Sequence, residues 1–257
     1  MSTAREKNIE QFNKDKFPPV ANLPPGDTLR GKLLFFLRTM ADLQVASVLR
    51  KVVPWLSSLS GNVLEVGCGA QPYRHFVPEN CSYVGLDWEN SESSFGYKAP
   101  DTIYYSGGVF PFPDNSYDNV FHAEVIEHVY HIEFFFKECK RVLKDGGEMF
   151  FTVPFSARFH YIPYDYWRFT PSALRRLLED TGFRDIQIMP RGNDFTVFFY
   201  KALCIIYRWF FNNGLMKIPA ILFWPFGFLF LIMGHISLRA NVGSNDDCLG
   251  YIVKSRT

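Results

Sequence analysis

The segment Val63-Leu64-Glu65-Val66-Gly67-Cys68-Gly69-Ala70 closes a short apolar run with two glycines one residue apart. Bare backbone at 67 and 69 can approach a ligand closely, and in an open α/β sheet such a turn lies at the carboxyl ends of the strands, where ligands bind. A second apolar run, Tyr83-Val84-Gly85-Leu86, ends at Asp87, 20 residues after Gly67. Its carboxylate is placed to accept both hydroxyl protons of a ribose. A dinucleotide fingerprint wants a third glycine three positions after the second, where this chain has Pro72, so a pyrophosphate on a helix N-terminus is disfavoured. Glu65, two positions before the first glycine, suits a cationic ligand whose amino acid end is held at the turn. That description fits S-adenosylmethionine. The plainer alternative is an ordinary strand-to-helix connection flanked by solvated strand-end carboxylates.

The ordered blocks decide between these. Leu64-Glu65-Val66-Gly67-Cys68-Gly69, Gly85-Leu86-Asp87, Phe110-Pro111-Phe112-Pro113-Asp114-Asn115-Ser116-Tyr117-Asp118, Ala123-Glu124-Val125-Ile126-Glu127-His128-Val129 and Arg141-Val142-Leu143-Lys144-Asp145-Gly146-Gly147 follow one another across residues 60–190. In this the chain resembles the class I S-adenosylmethionine-dependent methyltransferases, in particular the type 11 group. The resemblance implies that Glu65, Gly67 and Gly69 cradle the methionine part of the cofactor, that Asp87 holds the ribose, and that Glu124 sits beside the sulfonium. Cys68 and Trp88, next to these residues, complete the candidate cofactor set, although Cys68 also reads as a small buried filler. Relatives carry an acidic residue five positions before the first proline of the Phe-Pro-Phe block to receive the adenine amino group; this chain has Ser106 there. Glu124 has a second reading, as a cap of the following helix.

Methyl transfer asks the protein mainly for alignment and exclusion of water, and a hydroxyl acceptor also benefits from a base. Phe159-His160-Tyr161-Ile162-Pro163-Tyr164-Asp165-Tyr166-Trp167-Arg168-Phe169 follows the fifth strand and should cover the cofactor pocket, which makes His160 and Asp165 the candidate catalytic residues. Similar His, Asp and Trp-Arg-Phe patterns occur in relatives from polysaccharide and lipid-linked glycan pathways. His128 and His131 stand three apart, but no third ligand is spaced to complete a metal site, so no metal is expected.

These residues need a scaffold. Further apolar runs at 119–123, 148–153, 186–189 and 249–254 alternate with helical spacing, as in Leu174, Leu177 and Leu178 before Gly182. The alternation predicts right-handed βαβ units in a Rossmann-like, doubly wound, mostly parallel sheet, which the resemblance makes seven-stranded. Leu33, Leu37 and Met40, then Val45, Val48, Leu49, Val52 and Leu56, predict one or two flanking helices. The expected organisation is a polar arm over 1–26, a methyltransferase domain over 27–194, an apolar helical insertion over 195–240, and a return loop and last strand over 241–257.

The composition limits the partners. Of 257 residues, 27 are Lys or Arg and 26 Asp or Glu, a net charge of +1, which argues against a nucleic-acid surface. Five cysteines without a CxxC pair argue against a disulfide framework. The arm carries no apolar run, so a cleaved secretion signal is not expected. Residues 195–211 hold nine Phe, Leu, Ile or Val but also Lys201 and Arg208; two central charges cost about 5 to 7 kcal/mol, more than the apolar residues return, so this segment should lie in a membrane interface. Residues 218–238 carry no Lys, Arg, Asp or Glu and are long enough to span, yet a last strand in the same sheet requires the chain to return. The expectation is a peripheral or monotopic enzyme on the cytoplasmic side of a membrane, with an amphipathic or glycan acceptor. A soluble small-molecule methyltransferase using the block as a dimer interface, or a non-catalytic scaffold that retains the cofactor, are the alternatives.

Overall fold

The computed structural model describes residues 23–96, 98–211, 217–240 and 242–257; the polar arm over 1–26 lies almost wholly outside them. Two helices lead into the domain. Helix α1 (Leu29–Ala41) starts where Thr28 Oγ1 accepts the Gly31 N–H, and α2 (Leu43–Leu56) starts where Asp42 accepts from Gln44 and Val45. A side-chain cap between two helical runs breaks one long amphipathic segment into two.

The strands follow as β1 (Asn62–Val66), β2 (Ser82–Trp88), β3 (Thr102–Tyr105), β4 (Tyr117–Ala123), β5 (Leu143–Pro154), β6 (Arg184–Arg191) and β7 (Gly250–Arg256), in the spatial order β3-β2-β1-β4-β5-β7-β6. β7 is antiparallel to both neighbours, and the pairs from β3 through β5 are parallel. The order reverses between β1 and β4, which places the ligand crevice beside Gly67. The chain end is therefore part of the sheet, as the run at 249–254 predicts.

Two features depart from expectation. The seven strands expected from the resemblance are present, but no apolar run marks the position of β3: four residues flanked by polar sequence carry too little periodicity to stand out. No α-helix follows the glycine turn; the segment forms only a short 3₁₀ turn, Arg74–Phe76. Gln71 takes φ 53° there, and Pro72 and Pro78 lack the N–H a helix interior needs.

Both faces of the sheet are covered. On one, α2 buries Val48, Leu49, Val52 and Leu56 against Val63, Phe121, Phe150 and Ile252, and Trp55 stacks on Phe150 with 4.4 Å between ring centroids. On the other, α4 (Ile132–Val142) and α5 (Pro171–Asp180) bury Phe135, Phe136, Cys139, Leu174 and Leu178 against Leu64, Val120, Phe151 and Val153; α3 (Ser91–Phe95) is a single turn at the end of β2. Ile132, Phe135, Phe136, Cys139 and Val142 recur at three and four residues, so one stripe faces inward. Truncating a ring such as Phe136, which is fully buried, costs about 3–5 kcal/mol.

After β6 the chain runs out along α6 (Asp194–Phe211) and back along α7 (Lys217–Ala240) before β7. The base of this pair is fastened to the domain by polar groups: Thr196 and Ser237 hydroxyls lie 2.8 Å apart, and Ser237 donates to Asn193 Oδ1 at 2.7 Å. His235 Nε2 meets the Met40 carbonyl at 2.7 Å, and Gly234 lets α7 close on Leu43, whose Cδ1 would be 2.5 Å from an added Cβ. Beyond the base the surface is apolar, with Ile221, Leu222, Trp224, Phe226, Phe228 and Leu229 all exposed.

Candidate active site

The glycine turn is shaped by what it must avoid. Gly67 and Gly69 take φ 69° and 53°, a left-handed conformation that disfavours side chains. A Cβ on Gly67 would lie 2.6 Å from Val125 Cγ2. The Gly67 and Cys68 N–H groups both donate to the Leu86 carbonyl, laying the turn across β2. Gly85 permits this, because a Cβ there would meet Cys68 Sγ at 2.9 Å. The Cys68 thiol is thus a buried filler under the turn, and burial pushes its pKa up.

The two acids are set differently. Asp87 Oδ2 accepts the Gly69 N–H at 2.7 Å and Oδ1 the Trp88 N–H at 2.7 Å, leaving the second lone pair of each oxygen for a ligand. Burial raises its pKa, opposed by these two hydrogen bonds. Glu65 is more extreme. Burial pushes its carboxyl up to about 8, against the hydrogen bond from the Tyr83 hydroxyl and with the help of the Asp87 charge. Without a cation beside it, Glu65 holds its proton at neutral pH.

Glu65, Gly67, Cys68, Gly69, Asp87 and Trp88 line one cavity of about 1400 Å³, and Glu124 lines it as well. Ser106 does not: it is exposed, and Tyr105, Gly107 and Gly108 border the cavity in its place. The Phe-Pro-Phe block orients this edge. Glu138 accepts the Phe110 N–H at 2.8 Å, and Arg141 donates to the carbonyls of Phe110 and Phe112.

Glu124 directly follows β4, at φ 56°. Its Oε1 accepts from Thr152 Oγ1 at 2.7 Å and from Arg191 at 2.8 Å. The Arg191 side chain is fully buried and also donates to Ser47 Oγ at 2.8 Å. Glu124 is therefore anchored by Thr152 and Arg191 at the wall between the glycine turn and the loop after β5, and is not a helix cap. Sequence reading missed Arg191, one cation at the end of an apolar strand with no motif around it.

The segment after β5 closes over the crevice as anticipated. Trp88 packs edge-on against Tyr164 at 5.4 Å, and Phe95 against Tyr161 at 5.1 Å. His160 lines the cavity. Its Nδ1 faces two acceptors, the Arg158 carbonyl at 3.0 Å and Asp165 Oδ2 at 3.1 Å, so Nδ1 carries the proton and Nε2 the lone pair. Asp165 takes a different role from the expected base. Its side chain is 1% exposed and is gripped by Arg168 through both oxygens at 2.6 and 2.8 Å. Burial opposes its charge, but hydrogen bonds from His160 and Arg168 outweigh it and hold the carboxyl well below the usual range. Asp165 is a positioning residue for His160.

His128 stands beside His160, ring centroids 5.0 Å apart, with its Nδ1 2.9 Å from the Tyr164 carbonyl. Burial, then the neighbouring His160, lower its pKa to about 4. Glu127 lies behind it, fully buried, with its pKa raised first by burial and then by Glu124.

Residues 64–151 match the sequence profile of a methyltransferase domain. The chain is 30% identical over 132 residues to a Mycolicibacterium smegmatis protein named "Probable S-adenosylmethionine-dependent methyltransferase", an overlap of 48% of this chain and 51% of that one. It is 32% identical over 139 residues to the mouse mitochondrial ubiquinone biosynthesis O-methyltransferase, covering 46% of this chain and 37% of the relative. The chain thus spans about half the length, or less, of these curated relatives. An S-adenosylmethionine-dependent methyltransferase from Archaeoglobus fulgidus shares the fold, with a TM-score of 0.51 at 15% identity over 88% of this chain and 99% of that one. Residues 64–151 are thus a methyltransferase domain on a Rossmann-like fold, and S-adenosylmethionine is its cofactor. The residues present fit that group: a side-chain-free turn, a buried carboxyl at its base for a cationic amino acid end, and at Asp87 a carboxylate with lone pairs to spare.

Proposed function

We propose that the chain transfers a methyl group from S-adenosylmethionine to a hydroxyl of an amphipathic acceptor, a lipid or lipid-linked glycan, met at the cytoplasmic face of a membrane. One observation carries this reading: the cavity that begins at the glycine turn continues past His160 to α6, where Tyr200, Leu203, Ile205 and Tyr207 line it beside Lys201 and Arg208, and α6 with α7 presents exposed apolar rings. A polar reacting end and an apolar tail fit the two ends of such a space.

The cofactor supplies an electrophilic methyl on a sulfonium; the chain's residues do the rest. Glu65 and Asp87 hold the donor, Glu124 places a fixed carboxyl by the crevice, and the loop from Phe155 to Phe169 excludes water. His160 Nε2 is the atom positioned to take a hydroxyl proton, with Asp165 and Arg168 holding its ring. Residues 195–240 act as the membrane-associating insertion. Ile221–Ala240 is long and apolar enough to cross a membrane, but α6 leaves from β6 and α7 returns to β7, strands adjacent in one sheet. That return supports a monotopic insertion over a crossing.

The test is incubation of the full chain and isotopically labelled cofactor with membrane lipid extract, read by mass spectrometry. Label in an organic-phase product supports the reading. Label confined to water-soluble products, with a monodisperse oligomer in detergent-free buffer, favours a soluble enzyme whose apolar block is a dimer interface.

A further inference from the structure

The sequence offers His128 and His131 as a metal pair lacking a third ligand; the fold offers a different set. We propose that Glu127, His128 and His160 bind one divalent first-row transition cation on the acceptor side of the cavity. One ligand atom from each lies within 4.8 Å of the other two. Glu127 is fully buried, and neither of its oxygens has a hydrogen-bond partner among the described residues. A buried carboxyl without a partner is costly, and here it faces His128 Nε2 across 3.7 Å.

The two histidines are already oriented as ligands. His128 Nδ1 is committed to the Tyr164 carbonyl at 2.9 Å. His160 Nδ1 is committed to the Arg158 carbonyl at 3.0 Å and lies 3.1 Å from Asp165. Each ring thus keeps its Nε2 lone pair, with the other nitrogen held by a carbonyl or carboxylate, the outer-shell arrangement that fixes metal-binding imidazoles. Two imidazoles and one carboxylate suit zinc, iron or manganese better than magnesium or calcium, which prefer all-oxygen sets. Three protein ligands leave positions open. Because His128 and His160 border the cavity, the open positions face the acceptor space, where they would take oxygen atoms of an acceptor. That use rests on the proposed methyl transfer; the binding does not. In the metal-loaded chain the His160 Nε2 lone pair is a ligand, so the proton-accepting role of His160 belongs to the metal-free chain.

The full chain, stripped with chelator and dialysed separately against Zn²⁺ and Mn²⁺, should retain one ion per chain by elemental mass spectrometry. Glu127→Gln and His128→Ala should each lower cation affinity at least tenfold, while His131→Ala leaves it unchanged. Calorimetric titration with S-adenosylmethionine shows whether each variant keeps its fold, and His160→Ala gives the same reading should Glu127→Gln fail to fold. Retention of neither cation, or wild-type affinity in a folded Glu127→Gln or His128→Ala variant, overturns the site. Stoichiometric metal in a chain that methylates nothing overturns the proposed function and leaves the site standing. Methyl transfer from a chain that retains no metal does the reverse.

Discussion

The two ends of the cavity are built in different ways. The cofactor end comes from one short stretch, residues 65 to 88, and works largely through backbone: two glycines at positive φ, a turn bonded to the Leu86 carbonyl, and an Asp87 that organises the turn with a lone pair on each oxygen to spare. The proposed acceptor end is assembled from side chains on separate segments: Glu124 after β4, His128 beyond it, His160 in the loop after β5, Arg191 on β6 and Tyr200 on α6. Backbone binding demands glycine at fixed spacing and so leaves a mark in sequence. Side-chain assembly demands only that distant residues meet.

Substitutions at the two ends should therefore separate turnover from cofactor affinity. The largest effect is expected for His160→Ala in the metal-free protein, which should lower kcat by about 10²–10⁴, the usual contribution of a positioned acid or base, while calorimetric affinity for S-adenosylmethionine stays within about twofold. Asp165→Asn should lower kcat less, since it leaves the Arg158 carbonyl to orient the ring. A loss of cofactor affinity in either variant would merge the two ends into one.

Asp87→Ala should act on the other side. Losing even one charged hydrogen bond, worth about 1.5 to 3 kcal/mol, should weaken cofactor binding at least about tenfold by calorimetry. Unchanged affinity in a folded variant would take Asp87 out of the site.

The outer surface of the acceptor end gives a smaller effect. Leu222→Asp or Phe228→Asp places a charge on exposed apolar residues of α7 and should reduce partition onto lipid vesicles about tenfold, less than the full cost of a charge at the bilayer centre. Soluble activity and cofactor affinity should persist. Equal vesicle binding by both variants would sever α7 from the membrane.

The finest probe is the proton on Glu65. With its native pKa raised to about 8 from 4.5, the stability it contributes is fully present below about pH 4.5 and is lost as pH rises through 8. The cofactor-free protein should therefore melt higher at pH 5 than at pH 8 through this group, and Glu65→Gln should flatten that difference. A cationic amino acid end beside Glu65 favours its ionised form, so cofactor binding near pH 6.5 should release close to one proton. Calorimetry in two buffers of different ionisation enthalpy measures this, and equal apparent enthalpies would mean that Glu65 stays protonated in the complex.

The sequence by itself determined six of the seven strands and the glycine turn. Apolar runs at 63–66, 83–86, 119–123, 148–153, 186–189 and 249–254 all lie in or overlap strands, because the central strands are buried on both faces and so are apolar throughout, while the edge strand β6 shows only a weaker alternation. Gly67, Gly69 and Asp87 were visible because close backbone approach excludes other residues. Local spacing misled where the contact was not local: Ser106 matches the family block by position yet lies outside the cavity, and His128 pairs in space with His160, not with His131 three residues away. Only the tertiary structure could turn Asp165 from base into positioning residue, since its charge is spent on Arg168. Only it could reveal Arg191 as the anchor of Glu124, across 67 residues of chain. A hydrogen bond or ion pair between strands imposes no spacing on the sequence, and burial, which sets the chemistry of each carboxyl and imidazole, belongs to the packed molecule alone.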